Sequence, residues 1–230
     1  MKRKVCFVFL IILSVCSFMA CNHVSENASE NIDTDLILQE ALRGAADAGA
    51  EVEMIHLYDL NFTGCRSCFA CKRKGAEPAK CFWKDDLSPV LDKILSADAV
   101  FFGTPIYFGE ITSQMHALIE RLNFILMTYD DYSKKLFHGK VNCGCFYTMN
   151  VSQEGYDKMY AERMKQSFRV LNKLNGEILE YASCDTWQFT DYSKYQAGTF
   201  DEVHKRQRRE EQFPKDLAAA YQIGQKLCGK

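Results

Sequence analysis

From residue 34 onward, stretches with apolar residues at helical spacing alternate with short, almost continuously apolar runs, joined by brief polar connections. Leu36, Ile37, Leu38, Ala41, Leu42, Ala45 and Ala46 predict a helix capped by Asp33 or Thr34 and ended near Gly49. Residues 52–60 read as a strand, 87–95 as a helix behind Asp85 or Asp86, and 97–102 as a strand buried on both faces. Gly103 and Pro105 end that strand. A helical period then resumes over 111–124 through Met115, Leu118, Ile119 and Leu122. Residues 141–149 predict a strand, 156–174 one long amphipathic helix, and 177–181 a shorter strand. The chain is polar over 191–211, and Pro214 opens a last helix running to about Leu227. This alternation predicts βαβ units: an α/β protein built on an open, doubly wound parallel sheet. The ligand site of such a sheet lies beyond the carboxyl ends of its strands.

The first 33 residues follow a different pattern. Lys2, Arg3 and Lys4 precede an apolar run over 5–20 and then Cys21, the layout of a secretory signal peptide and too short for a comfortable membrane span. Phe18, Met19, Ala20 and Cys21 resemble a bacterial lipoprotein cleavage box, with Phe18 in place of the usual leucine. On that reading lipidated Cys21 attaches the protein to a bacterial cell envelope, with residues 22–33 as a polar tether. On the other, part of the apolar run is the first strand of the sheet and the protein is cytoplasmic. The chain therefore divides into 1–21, signal-like or first strand; 22–33, linker or phosphate loop; and 34–230, the α/β domain.

With 230 residues, 47% of them hydrophobic and 25% charged, the chain has the make-up of one globular domain with a sizeable core. The net charge is −2, and −5 without residues 1–20, which leaves 25 basic against 30 acidic residues. That balance argues against a nucleic-acid partner. The basic run Lys205, Arg206, Arg208 and Arg209 reads as a solvated helix face balanced by Glu210 and Glu211. His56, His116, His138 and His204 lie apart, without ligand spacing. Cys6, Cys16, Cys143, Cys145 and Cys184 sit in apolar stretches as small buried hydrophobes.

Two segments carry candidate chemistry. The loop Gly103, Thr104, Pro105, Ile106, Tyr107, Phe108, Gly109 follows a buried strand, with Pro105 stiffening the backbone and the glycines allowing close approach. Its aromatics and backbone polar groups suit the edge of a flat heteroaromatic ring, or form an ordinary turn with its aromatics tucked into the core. Thr148 to Gly155 occupies the corresponding end of a later strand. The second segment holds Cys65, Cys68, Cys71 and Cys81, spaced by two, two and nine residues.

The stretch from Ala97 through Gly109, with Gln114, Leu118, Ile119 and Arg121 behind it, resembles the NADPH-dependent FMN reductase and iron–sulfur flavoprotein branch of the flavodoxin-like proteins. The cysteine loop with Lys84, Asp85 and Asp86 after it fits the same pattern. So does the tail Asp191, Tyr192, Ser193, Lys194, Tyr195 with Pro214, Lys215, Asp216 and Leu217 beyond. The resemblance covers roughly residues 34–227. It implies a flavodoxin-like sheet of about five parallel strands in the order 2-1-3-4-5 with helices on both faces. It further implies bound FMN, NAD(P)H as electron donor, a small-molecule electron acceptor, and a homodimer or homotetramer. Thr104, Pro105, Ile106, Tyr107, Phe108 and Gly109 would line the flavin ring, with Tyr147, Thr148 and Met149 on its far side. No acid–base residue is required, because the flavin carries the chemistry.

Family members hold the FMN phosphate in a loop directly after the first strand, at a helix N-terminus. The matching positions here, residues 26–34, keep only Ser29 and Thr34 as phosphate-binding types, while Glu26, Glu30 and Asp33 carry the wrong charge. The four cysteines resemble the motif that binds a [4Fe-4S] cluster in iron–sulfur flavoproteins, with a longer last gap. Zinc would accept the same thiolates, and disulfides or free thiols are the remaining readings. The sequence thus predicts an FMN-dependent NAD(P)H oxidoreductase acting on flavin, quinone or another small acceptor. The alternative is a noncatalytic envelope lipoprotein that keeps the fold as a binding or scaffold module.

Overall fold

A computed structural model of the chain describes residues 5–10 and 32–229. The expectations for Cys21, for Ser29 and for most of the phosphate loop lie outside the described residues. The elements run β1 (Val5–Leu10), α1 (Ile32–Asp47), β2 (Glu51–His56), α2 (Leu87–Ser96), β3 (Ala99–Pro105), α3 (Ser113–Leu126), β4 (Val141–Thr148), α4 (Gln153–Met159), α5 (Ala161–Ser167), β5 (Asn175–Ser183), α6 (Glu202–Glu211) and α7 (Phe213–Cys228).

The five strands form one parallel sheet in the order β2-β1-β3-β4-β5. β1, drawn from the amino-terminal apolar run, pairs with β2 on one side and β3 on the other, Cys6 opposite both Val52 and Ala99 and Leu10 opposite Gly103. β3 is buried along its whole length. Its alternate side chains enter two cores: Val100 and Phe102 on the face covered by α2, α3 and α5, Ala99 and Phe101 on the face covered by α1 and α7. α1 and α7 approach backbone to backbone, because a Cβ at Gly44 would stand 2.1 Å from the Tyr221 carbonyl oxygen and one at Gly224 1.9 Å from that of Ala41. Any side chain there would force the helices apart.

Three local expectations differ from the structure. Residues 156–174 are not one helix. α4 ends at Tyr160, whose backbone leaves helical geometry (φ −122°, ψ −24°), α5 follows, and a 3-10 turn Arg169–Leu174 leads into β5. The breaks keep Tyr156, Met164, Phe168 and Leu171 on one core, so apolar spacing continues through a chain that changes direction. The polar stretch 191–211 contains α6, capped by the Asp201 carboxylate, which accepts from the amides of Val203 and His204. The strand expected over 97–102 runs on to Pro105, so Gly103 and Pro105 lie within β3 rather than ending it. Of the two candidate caps of α2, Asp85 is the one used, its Oδ1 accepting from the amides of Leu87 and Ser88 at 3.2 and 3.3 Å.

Candidate flavin site and cysteine pocket

β3 and β4 end side by side, Thr104 opposite Tyr147 and Pro105 opposite Thr148. The Ile106 amide adds one more bond, to the Thr148 carbonyl at 2.9 Å, before the chain reverses. In the reversal Tyr107 and Glu110 exchange backbone hydrogen bonds at 3.0 and 2.9 Å. The two residues between them both have positive φ, Phe108 at 54° and Gly109 at 78°. This is the two-residue turn for which Asn-Gly or Gly-Gly is the unstrained choice. Phe108 takes the strained place instead, at a cost of about 1 kcal/mol, with its ring fully exposed to solvent. Strain held together with an exposed aromatic side chain at a strand's carboxyl end points to a role in binding.

The neighbours of the turn are fixed from below. The Thr104 hydroxyl donates to the Pro105 carbonyl at 2.9 Å and accepts from the Thr112 amide at 3.3 Å, tying the strand end to the start of α3. Thr148 shares a 2.5 Å hydrogen bond with the hydroxyl of Thr34 in the first turn of α1, and both are buried. Thr34 therefore locks α1 to β4. Met149 is held through its amide to the Ser183 carbonyl, and its own carbonyl accepts from Thr186. Tyr147 points away from the strand ends: its ring packs on Tyr156 and Phe168 in the core and its hydroxyl meets Glu180 at 3.3 Å. Burial pushes its phenol well above the ordinary tyrosine range. Of the residues expected around a flavin ring, Ile106, Tyr107 and Phe108 offer side-chain surface, Gly109 is buried in the turn, Thr104, Pro105, Thr148 and Met149 shape the floor, and Tyr147 belongs to the core.

The polar side of the site comes from residues that periodicity did not single out. The basic run of α6 is not a solvated face. Arg209 pairs with Asp33 in the first turn of α1, Arg208 with buried Asp216 at 2.9 Å, and Lys205, itself buried, with Asp185 and with the Asn150 side chain. Only Arg206 pairs within its own exposed helix face, with Glu202. Burial raises the Asp33 carboxyl above the usual range against the pull of Arg209. Its Oδ2 is buried with no hydrogen-bond partner among the described residues. A buried acceptor without a donor suits a hydroxyl of the FMN ribityl chain, whereas the Asp33 charge itself opposes the phosphate and Arg209 is already paired with it.

The cysteines lie along α3. Cys65, Cys68, Cys71 and Cys81 are free thiols lining one pocket with Arg121, Phe124 and Trp83. Ser67 and Phe69 have positive φ, 50° and 55°, which curls the loop tightly. The Cys65 amide donates to the Glu120 carboxylate at 2.8 Å, and the Lys72 ammonium donates to the Phe124 and Met127 carbonyls at the end of α3. Arg121, almost wholly buried, donates to Asp85 at 2.5 Å, to Ser88 at 2.7 Å and to the Cys81 sulfur at 3.1 Å. Burial, and then the neighbouring thiols, push the Cys71 thiol up against the pull of Lys72. The donor set suits a soft metal or cluster, but among the described residues no three Cys, His, Asp or Glu side chains stand close enough together to hold one. Cys143, Cys145 and Cys184 are buried, and burial pushes the thiols of Cys143 and Cys184 up to about 12.

The family profile described as NADPH-dependent FMN reductase matches residues 27–172, more than half of the chain. The chain belongs to the NADPH-dependent FMN reductase family. Among its relatives, an iron–sulfur flavoprotein of Methanocaldococcus jannaschii is 37% identical over 89 residues, which is 39% of this chain and 44% of that protein. One from Archaeoglobus fulgidus is 34% identical over 119 residues, 51% of this chain and 57% of that protein. The chain thus spans about half the length of the curated relatives it matches. The fold of this FMN reductase family member is similar to that of an NAD(P)H:quinone oxidoreductase from Methanothermobacter marburgensis, with a TM-score of 0.64 at 14% identity over 98% of each chain. It is also similar to RosB, solved with bound 8-demethyl-8-formylriboflavin-5'-phosphate: the TM-score is 0.56 at 17% identity, over 99% of this chain and 79% of the other.

Proposed function

We infer that the protein is an FMN-dependent NAD(P)H oxidoreductase that passes electrons to a small acceptor such as a flavin or quinone. The observation that carries this reading is the strained, outward turn at Phe108 and Gly109, at the carboxyl end of β3 in a chain of the FMN reductase family. Bound FMN would supply the hydride chemistry. The chain's own work is placement. Tyr107 and Phe108 would offer apolar surface to the bound flavin, from a turn that closes through the Tyr107 and Glu110 backbone bonds. Thr104, Thr148 and Thr34 would form the floor beneath a bound flavin, and Arg209 offsets the Asp33 charge at the start of α1.

A [4Fe-4S] cluster on Cys65, Cys68, Cys71 and Cys81 is supported by the iron–sulfur flavoproteins among the relatives and by four free thiols lining one pocket. It would require the loop to draw the sulfurs together, and no step of the reaction is assigned to it. Exposed Tyr107, Phe108 and Met159 favour a homodimer or homotetramer. Lipid attachment through Cys21 is a separate proposal. Cleavage before Cys21 would remove β1, and the intact mass of the mature protein distinguishes the two forms.

The test is anaerobic titration of the purified, flavin-reconstituted chain with NADPH and NADH, with iron and sulfide assayed on the same sample. Bleaching of the flavin absorption by at least one of the two, and its return on adding a quinone, is expected. A protein that holds flavin but is not reduced by either nucleotide would overturn the activity and leave a binding module.

A further inference from the structure

The amino-terminal edge of the sheet, opposite the flavin turn, carries a second site. α3 ends there at Leu126, and residues 127–140 cross to the start of β4. A cavity of about 240 Å³ opens under this crossing, lined by Tyr132, Lys134, Lys135, Phe137, Asn172 and Lys173. A second, of about 390 Å³, shares Asn172 and Lys173 and adds Asn123, Gln166 and Arg169. The rim is built in place: Lys135 donates to Asn175 Oδ1 at 2.8 Å, and the Asn175 amide donates to the Gly139 carbonyl at 2.9 Å and to that of Phe137 at 3.4 Å.

Charge distinguishes the place. No Asp or Glu is among the described residues lining either cavity. Lys134, Arg169 and Lys173 have no carboxylate partner among the described residues, unlike the cations of α6. The nearest acid along the chain, Asp131, turns its carboxylate to the Ser133 amide and hydroxyl. Partial desolvation, with the like charges of Lys72 and Arg169, holds the Lys173 ammonium below its ordinary range. Positive charge gathered in a cavity without an offset is stabilised by an anion. A concave, partly apolar site suits a small molecule better than a flat macromolecular surface does.

We propose that these adjoining cavities bind a phosphorylated small molecule with an aromatic ring, of the nucleoside phosphate class, its phosphates on Lys134, Lys135 and Lys173 and its ring against Tyr132 and Phe137. Asn172, which lines both cavities, donates to the Arg169 carbonyl at 3.1 Å and keeps its side-chain oxygen as an acceptor for the ring's polar edge. β4 spans roughly 23 Å between this edge and the flavin turn, taken from its seven residue steps. A nucleotide bound here acts as an effector or anchor rather than as the hydride donor.

The experiment is calorimetric titration of the full chain with ADP and, separately, with inorganic tripolyphosphate, at about 0.15 M salt so that diffuse charge attraction is screened. Binding of either is expected, weakened about tenfold or more by Lys134→Gln and by Lys173→Gln. Both side chains are exposed, and a melting curve checks that each variant is folded. Lys194→Gln, in the loop after β5, should leave binding unchanged. Tighter binding of ADP than of tripolyphosphate is expected from the Tyr132 and Phe137 wall; equal or weaker binding of ADP would overturn the assignment to a nucleoside phosphate. No heat from either ligand, or binding indifferent to both lysine substitutions, would overturn the proposal.

Discussion

Arg121 reaches from the middle of α3 to the sulfur of Cys81, 3.1 Å from its Nη2, while its Nη1 lies 2.5 Å from Asp85. One buried guanidinium thereby joins the cysteine loop to the start of α2, bridging elements 36 and 40 residues away in the chain. Arg121→Met removes the charge but leaves Asp85 almost buried beside it, and breaking such a pair from one side costs about 3 kcal/mol. Urea denaturation of the variant should report that loss, and Cys81 should become more open to a thiol reagent as its donor disappears. An unchanged midpoint would mean that the loop stands without this arginine.

The turn beyond β3 gives a prediction of opposite sign. Phe108→Gly removes a side chain from a left-handed backbone position and should raise stability by about 1 kcal/mol. The same change deletes exposed aromatic surface, so FMN affinity should fall. Thermal melting and a flavin titration on the same variant separate the two effects. A variant that is more stable and binds flavin as tightly as the parent would show that Phe108 has no part in the site.

Acid should loosen the contact between α6 and the loop after β5. Burial alone would raise the Asp185 carboxyl, but hydrogen bonds from Lys205 and His204 outweigh it and hold the group below its ordinary value. A carboxylate whose pKa is lowered in the folded state adds stability above the unfolded pKa, near 3.9, and loses it as pH falls through the lower folded value. Asp185→Asn should therefore flatten the acid limb of stability measured from about pH 4 downward. A variant whose acid limb matches that of the parent would place the sensitivity elsewhere.

These residues also mark how far the sequence could be read. β3 was legible because a strand buried on both faces must be apolar throughout, but its end was set too early: Gly103 and Pro105 stay in the strand, and only Gly109 belongs to the turn. The spacing of Cys65, Cys68, Cys71 and Cys81 was equally plain, and all four line one pocket. The helix α6 was not legible as a packed element. Its inward face is Lys205, Arg208 and Arg209, and ion pairs to Asp185, Asp216 and Asp33 leave no apolar period to detect. Those partners stand 20, 8 and 176 residues away, so no local pattern links them. The bend at Tyr160 was hidden for the converse reason, since the core it serves keeps helical spacing on both sides of the break. Tyr147 was misjudged as ring-facing because strand alternation assigns a side but not which side the ligand takes.

The central claim is that the carboxyl ends of β3 and β4 hold a flavin. Titration of the purified full-length chain with FMN, followed by quenching of flavin fluorescence, tests it most directly. The account predicts saturation at one FMN per chain. A colourless protein that leaves added FMN fluorescence unquenched would contradict it.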